Sequence, residues 1–316
     1  MNVHISGATS FIGKAFIQYC QNYPHILINR LDRKSLETLN VNKLKGSNSF
    51  IHLAARVHVF NEESGNYLRE YLETNRDLTL SLAKKAIEAR VKKFIFISSV
   101  AVYGRFKGGV ISLNDNPRPD DPYGESKLEA EKGLVDLFAH KESKCIILRL
   151  PMVYGPENKG NMLRLLNAAS RRIPLPLGAV RSKRSVVYVK NVCSAILKIL
   201  QDEKPERPTV QTYLINDRQD ITSGQLYSEI YRAYRGGEGV FSIPEVLFRL
   251  SGNAGTLIEK LLKKRLPINE DVVSRLIDEY RFSSEAFRRD YDWNPPYSQI
   301  QGIRDTVEWY KKNKPI

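Results

Sequence analysis

The sequence has no apolar run that approaches the roughly 20 residues needed to cross a bilayer. It enters an apolar, strand-like segment directly after Met1, so we expect neither a secretory leader nor an integral membrane segment, and a cytoplasmic location. Cysteine is scarce: Cys20, Cys145 and Cys193 are an odd number without metal-site spacing. We therefore expect buried thiols in a reducing compartment and no metal.

The chain also lacks a basic arm, a zinc finger, a basic zipper and an aromatic RNA-binding motif, although its net charge is +14. The positive excess is 6 in residues 1–150 and 8 in the remainder, so neither half is a dedicated basic arm. These features disfavour nucleic-acid binding. Basic clusters at 171–172, 181–184 and 260–265 lie in the second half, where part of that charge can hold a diphosphate and most of it is expected to be solvated.

Tyr123 lies 24 residues after Ser99, which ends a serine-rich, strand-like segment, and Lys127 follows four residues after Tyr123. On a helix the two side chains project from one face. A lysine ammonium beneath the phenol, together with a cationic nicotinamide ring, would lower the tyrosine pKa from about 10 and create a general base. The pair occurs by chance on many helices, so its meaning depends on a cofactor site elsewhere.

The amino terminus predicts such a site. A short strand over residues 2–6 is followed by the turn Gly7 to Gly13 and then by an apolar-periodic helix. This arrangement allows backbone N–H groups at a helix amino terminus to meet a pyrophosphate. Ser10 replaces the central glycine of the usual G-x-x-G-x-x-G, which restricts backbone approach there.

With both pieces placed, the chain resembles, nearly end to end, the extended short-chain dehydrogenase/reductases, the nucleotide-sugar epimerase/dehydratase family. Ordered matches carry the resemblance: the strand at 50–55, Asn75 with Thr79, the strand and Val-Tyr-Gly at 94–104, the loop at 149–156, the segment 184–191, and 291–296 with Asp292 where Gly is usual. The resemblance implies a catalytic Ser99, Tyr123 and Lys127.

The implied architecture is a Rossmann-type, doubly wound parallel α/β sheet with a smaller, discontinuous α/β lobe that binds the nucleotide-sugar. We expect strands near 2–6, 25–30, 49–53, 93–98 and 144–149, with an abbreviated or absent strand between Leu31 and Ser49. The NAD(P)-binding domain is expected over 1–155, completed by about 186–216. Residues 156–185 and 217–316 are expected to form the lobe.

The resemblance also implies two sets of binding residues. Those expected at the cofactor are Gly7, Ser10, Phe11, Ile12, Gly13, Arg30, Leu53, Ala54, Ala55, Asn75, Tyr123, Lys127, Pro151 and Val153. Those expected at the substrate are Asn161, Leu177, Arg184 and Arg275, with Arg184 at the diphosphate.

The end of the second strand decides the cofactor, because an acidic residue there favours NAD and an arginine fits the 2′-phosphate of NADP. Placing Asn29 and Arg30 at that end, with Arg33 close behind, favours NADP. If the strand ends two residues later, Asp32 would be the residue that bonds the ribose, and NAD would then be the expected cofactor.

Val100 and Ala101 limit the reactions that this chain can be expected to catalyse. They occupy the positions where the family's 4,6-dehydratases carry an acid and a base. A dehydratase is therefore disfavoured, and hydride exchange at carbon 4 of a UDP-hexose or UDP-N-acetylhexosamine remains. Similarity to a branch that includes UDP-N-acetylquinovosamine dehydrogenases favours a 4-ketoreductase of a UDP-4-keto-6-deoxy sugar in surface-polysaccharide synthesis. A 4-epimerase with tightly held NAD is the alternative. A non-catalytic NADP-binding regulator is disfavoured because all three catalytic residues are present.

Residues 243–265 contain apolar stripes beside basic residues. The favoured interpretation is packing within the lobe with a basic outer face; the alternative is a weak peripheral contact with anionic membrane. The expected partners are otherwise a UDP-sugar and a second copy of the chain in a homodimer.

Overall fold

A six-stranded parallel sheet forms the centre of the protein, in the order β10-β6-β4-β3-β1-β2. The computed structural model describes residues 1–57, 67–105, 109–204, 207–262 and 270–313. The strands are β1 Asn2–Ser6, β2 Leu27–Leu31, β3 Ser49–His52, β4 Lys93–Ser99, β5 Val110–Ile111, β6 Lys144–Leu150, β7 Met152–Tyr154, β8 Lys183–Arg184, β9 Val186–Tyr188, β10 Val210–Leu214, β11 Ile221–Thr222 and β12 Arg281–Phe282.

Helices cover both faces of this sheet, as expected when parallel strands are joined by helical crossovers. The helices are α1 Phe11–Tyr19, α2 Arg33–Leu36, α3 Tyr67–Leu72, α4 Leu78–Glu88, α5 Pro122–Phe138, α6 Asn161–Ser170, α7 Val189–Gln201, α8 Ser223–Arg235, α9 Glu245–Leu262, α10 Glu270–Ile277, α11 Glu285–Tyr291 and α12 Gln299–Asn313. One core cluster joins the sheet to α1, α7 and α11, and another joins it to α4 and α5.

The predicted Rossmann-type fold is confirmed, and each of the five predicted strands is present. The sixth strand, β10, lies within the stretch expected to complete the sheet. No strand lies between β2 and β3 in this fully described stretch, as predicted, so β2 is the sheet edge. However, β2 runs from Leu27 to Leu31, one residue beyond the predicted end. This later end changes which residue is expected to select between NAD and NADP.

Three two-stranded sheets connect the central sheet to the lobe: β7 with β9, β8 with β11, and β12 with β5. The lobe has its own core, in which Tyr154, Tyr188 and Tyr227 are fully buried. The family's Gly before the closing Trp is Asp292 here, and its backbone is left-handed, with φ of +44°. Glycine is usual there because it adopts this conformation without strain, and Asp is among the few residues that tolerate it.

A buried ion pair ties the strands to the helix that carries Tyr123 and Lys127. Arg149, on β6, binds Glu131 of α5 through both Nε and Nη2, and the Nη2–Oε2 distance is 2.6 Å. The two side chains are only 9% and 5% exposed. Ser98 of β4 donates a hydrogen bond to Glu131, and Arg149 Nη1 donates to the Tyr103 hydroxyl. This network joins β4, β6, α5 and the 3₁₀ turn at Val100–Tyr103.

We predict that Arg149→Met lowers the free energy of unfolding by about 3 to 5 kcal/mol, because it leaves Glu131 buried without its partner. The double substitution Arg149→Met with Glu131→Met should recover much of the loss, because no buried charge remains. Urea unfolding followed by circular dichroism measures both.

The exposed ion pair between Lys14 and Glu157, whose side chains are 55% and 47% exposed, is the control. Lys14→Met should change stability by less than about 1 kcal/mol. If Lys14→Met and Arg149→Met lowered the free energy of unfolding equally, the buried pair would contribute no more to stability than the exposed one, which would contradict this prediction.

Candidate active site

The turn after β1 has the shape of a dinucleotide cradle. Gly7 has φ of +73°, and a Cβ there would lie 2.7 Å from the backbone N of Ala54. A Cβ on Gly13 would collide with the Gly7 carbonyl oxygen. Ser10 has φ of −68°, which any residue adopts, and its hydroxyl accepts from the Gly13 N–H and caps α1. The serine therefore fits the turn, and Phe11 and Ile12 open the helix behind it.

A buried histidine that the sequence did not single out fixes the adjacent strand end. His52 Nδ1 lies 2.6 Å from the Ser6 hydroxyl, and Nε2 lies 2.9 Å from the Thr79 hydroxyl. Because Thr79 donates its own proton to the Asn75 carbonyl, Nε2 carries the ring proton and Nδ1 accepts from Ser6. Burial, followed by the charge of Lys127, lowers the pKa of His52 to about 3, so the ring stays neutral.

Asn75 holds the loop after β3 in place. It lies in a π-helical turn, Glu73–Asp77, and is fully buried. Its amide bonds both backbone groups of Arg56 and the Ser126 hydroxyl on α5. Leu53, Ala54 and Ala55 lie directly ahead of Arg56 and beside the Gly7 turn. The observed contacts of Asn75 are thus with the protein, and its role at the cofactor stays a prediction.

The register of β2 corrects the basis of the cofactor prediction. Leu31 pairs with Ser6, so Asp32 follows β2 at the same level at which Gly7 follows β1. Arg30 pairs with Ile5, one step before the strand ends. Both Arg30 and Asp32 are exposed, and the Asp32 side chain makes no cap hydrogen bond to α2. The residue that directly follows the strand is therefore acidic, because β2 ends at Leu31, one residue later than expected.

The three predicted catalytic residues come together at the carboxyl end of β4. Tyr123, at the start of α5, lies near enough to Ser99 for the two hydroxyl groups to interact. Burial raises the pKa of Tyr123 to about 12, and the nearby Ser99 hydroxyl opposes that rise. The Tyr71 ring packs edge-on against the Tyr123 ring with centroids 6.3 Å apart. The phenol is therefore protonated at neutral pH in the protein alone.

The Lys127 ammonium is bonded to a backbone carbonyl at the end of β4. Its Nζ donates to the Ile97 carbonyl at 2.9 Å and lies 4.5 Å from the centroid of the Phe96 ring. Burial lowers the pKa of Lys127 to about 7, while the charge of Glu131 opposes that shift. The Ile97 carbonyl thus satisfies part of the ammonium's hydrogen-bonding capacity, and the predicted effect of Lys127 on the Tyr123 phenol stays a prediction.

Tyr280, which the sequence did not flag, joins the catalytic turn to the lobe. Its hydroxyl donates to the Val100 carbonyl at 2.9 Å, next to Ser99. Its backbone N–H donates to the Lys183 carbonyl, and its carbonyl accepts from Ser185, so it flanks Arg184. Only three-dimensional pairing of 184 with 280 brings these groups together, and no local pattern shows it.

The remaining predicted residues divide into three groups. Pro151 is buried and Val153 lies on β7, beyond the end of β6. Asn161 is the exposed first residue of α6, whereas Leu177 is 2% exposed and lies within the lobe core. The Arg275 side chain lies outside the described part of the structure.

Arg184 fits the role of an anion-binding residue. Its Nη2 donates to the Asp278 carbonyl at 3.3 Å, while its Nε is buried without a hydrogen-bond acceptor among the described residues. Burial lowers the Arg184 pKa to about 10, so the side chain stays charged at neutral pH. An unpaired buried N–H on a cation favours an anionic partner.

Two further findings concern the described residues. They contain no group of three or more His, Cys, Asp or Glu side chains placed to hold a metal ion. None of their helices combines the length and apolar character that spanning a bilayer requires.

Two solved structures whose folds are similar to that of this chain contain NAD, and one of them also contains UDP-glucose. The chain matches MoeE5 in complex with UDP-glucose and NAD with a TM-score of 0.75, at 22% identity, over 99% of both chains. It matches UDP-glucuronic acid 4-epimerase from Bacillus cereus in complex with NAD with a TM-score of 0.76, at 17% identity, over 99% of this chain and 97% of that one.

Sequence relatives extend along almost the whole chain. UDP-glucose 4-epimerase from Vibrio cholerae is 29% identical over 325 residues, which cover 97% of this chain and 94% of the relative. N-acetyl-alpha-D-glucosaminyl-diphospho-ditrans,octacis-undecaprenol 4-epimerase from Escherichia coli O157:H7 is 25% identical, over 98% and 95%. Residues 3–213 match the NAD dependent epimerase/dehydratase family. That match spans more than half of the chain, and it confirms the resemblance seen in the sequence: the protein belongs to the NAD-dependent epimerase/dehydratase family of enzymes.

Proposed function

We propose that this protein inverts the hydroxyl configuration at carbon 4 of a UDP-hexose or UDP-N-acetylhexosamine, using NAD that it retains between turnovers. The observation that carries the proposal is that Ser99, Tyr123 and the buried Lys127 come together at the carboxyl end of the sheet. The two relatives described above, which align over nearly their full lengths, are both named as 4-epimerases. Val100 and Ala101 offer no ionisable group for removing water, which disfavours a dehydratase.

In this proposal each side chain moves or holds a proton at a defined atom. Tyr123 Oη accepts the proton of the sugar hydroxyl and later returns it, while Ser99 Oγ bonds the same sugar oxygen. NAD, when bound, supplies the hydride acceptor. Tyr123 is protonated in the protein alone, so its pKa must fall before it acts as a base; the positive charges available to lower it are the Lys127 ammonium and the oxidised nicotinamide ring.

The preference for NAD follows from Asp32. A carboxylate at the end of the second strand accepts hydrogen bonds from the adenosine ribose and repels a 2′-phosphate. Asp32 has this position in the described register, at the level of Gly7. Retained NAD suits an epimerase, because the same hydride leaves and returns within one turnover.

A 4-ketoreductase that uses NADPH once per turnover is the second candidate. Arg33 follows Asp32 directly and Arg30 is exposed nearby, so two guanidinium groups stand near the strand end. In both candidates, the UDP diphosphate is assigned to Arg184 because of its unpaired Nε. The expected homodimer remains a prediction of the sequence, and the non-catalytic regulator remains a disfavoured alternative.

We predict that the purified protein, with no cofactor added, interconverts UDP-glucose with UDP-galactose or their N-acetyl counterparts. Tyr123→Phe should reduce this rate by about 100-fold or more, because it removes the proton carrier and keeps the ring. Nucleotide-sugar chromatography measures the rate, and the amount of NAD released on denaturation shows whether the variant still binds cofactor. Turnover that appears only when NADPH and a 4-keto sugar are supplied would establish the reductase instead.

A second prediction separates the two cofactors through residues on the same strand. Asp32→Ala should weaken NADH binding by about 1.5 to 3 kcal/mol, the scale of a hydrogen bond to a charged group, and leave NADPH unchanged or tighter. Arg30→Ala is the matched control and should affect neither. Fluorescence titration with each reduced nucleotide measures this, and selective loss of NADPH in Arg30→Ala would restore the arginine as the residue that selects the cofactor.

A further inference from the structure

The outer face of α9 is apolar and exposed. Val246, Leu247 and Leu250 are 68%, 56% and 54% exposed. At 100° per residue these three lie within one 100° arc of the helix together with the exposed Ala254, and the exposed Asn253 lies 20° outside it. The apolar pattern of this segment favours packing inside the lobe, but the structure leaves these side chains exposed on this half of the helix, which contradicts that interpretation.

The opposite face of α9 already makes the contact that anchors the helix. Phe248 is 7% exposed and belongs to the lobe core, and Gly252 and Gly255 are buried on the same side. The apolar stripe is therefore additional to the surface that the fold needs. Phe241, which precedes the helix, is a further exposed aromatic at 47%. An amphipathic helix with a second apolar face turned outward is typical of an interfacial segment.

Charge distinguishes between the partners that could cover this face. The sequence from Glu245 to Arg265 contains five basic and two acidic residues, and the whole chain carries a net charge of +14. A second copy would bring the same positive charge against itself, whereas an anionic surface would be attracted. Apolar side chains beside cations match a bilayer that contains anionic lipid.

The position of the stripe relates it to the substrate site. Arg249, which lies between Leu247 and Leu250, donates to the Asp278 carboxylate at 3.2 Å. The carbonyl of the same Asp278 accepts from Arg184 at 3.3 Å. One residue thus connects the exposed helix to the arginine with the unpaired Nε, so the stripe borders the part of the lobe assigned to anion binding.

From these observations, we propose that the outward face of α9, formed by Val246, Leu247 and Leu250, docks the protein peripherally on anionic lipid bilayers. The apolar side chains enter the interface while the positive net charge of the chain attracts it to the anionic headgroups. The electrostatic part of this binding is strongest at low salt and weakens as salt screens it. The apolar part persists, so binding should fall with salt without disappearing.

Cosedimentation of the full-length protein with phosphatidylcholine vesicles, with and without phosphatidylserine, tests this. We expect pelleting that depends on phosphatidylserine and weakens as sodium chloride is raised. The variant Val246→Ser/Leu247→Ser/Leu250→Ser should lower the partition coefficient by about tenfold or more, since apolar burial sets much of interfacial affinity. Its circular dichroism and unfolding midpoint should match the wild type, because the altered side chains already face solvent.

The matched control is Leu27→Ser/Ile300→Ser, which alters exposed apolar residues outside the lobe helix, 63% and 50% exposed. It should bind vesicles as the wild type does. The proposal is overturned by absence of phosphatidylserine-dependent pelleting at low salt, or by equal binding of wild type and the α9 variant. Light scattering that shows a dimer of the wild type and a monomer of the α9 variant would assign the face to a second copy instead.

Discussion

The buried ion pair between Arg149 and Glu131 is the interaction on which the site depends most. Taking both charges out of water is unfavourable, and it is offset here by a bidentate geometry and by hydrogen bonds from Ser98 and to Tyr103. Glu131 lies one helical turn after Lys127, and Ser98 immediately precedes Ser99. The pair therefore sets how the helix that carries the proton-transfer residues sits against the strand that carries Ser99.

Much of the fold and of the candidate site could be predicted from the sequence, because the informative patterns are local. Buried strands in Rossmann order, the glycine turn and the Tyr–Lys spacing each follow from a few consecutive residues. The end of β2 could not be predicted so closely, because this edge strand has exposed polar residues and its limit is set by pairing with β1. The acceptor for Lys127 and the contact of Tyr280 with Val100 depend on distant segments, which the sequence does not bring together.

The candidate site lies where the parallel sheet meets the lobe, and each of the two contributes different residues to it. The parallel sheet supplies the glycine turn, the acidic residue at the end of β2, and the Ser99–Tyr123 pair. The lobe supplies Arg184, and Tyr280 connects the two by bonding Val100 while flanking Arg184. The lobe also presents the outer face of α9, which sequence periodicity identified as apolar but could not orient. A helix with apolar residues on two faces gives no local signal of which face meets the core.

In the proposed reaction, one hydride leaves carbon 4 and returns to the opposite face of the same sugar. The decisive experiment supplies UDP-glucose or UDP-N-acetylglucosamine deuterated at carbon 4, without added nucleotide, and analyses the product by nuclear magnetic resonance. We expect a sugar inverted at carbon 4 that keeps its deuterium. Absence of inversion until NADPH is added, or an inverted product that has lost its deuterium to solvent, would contradict it.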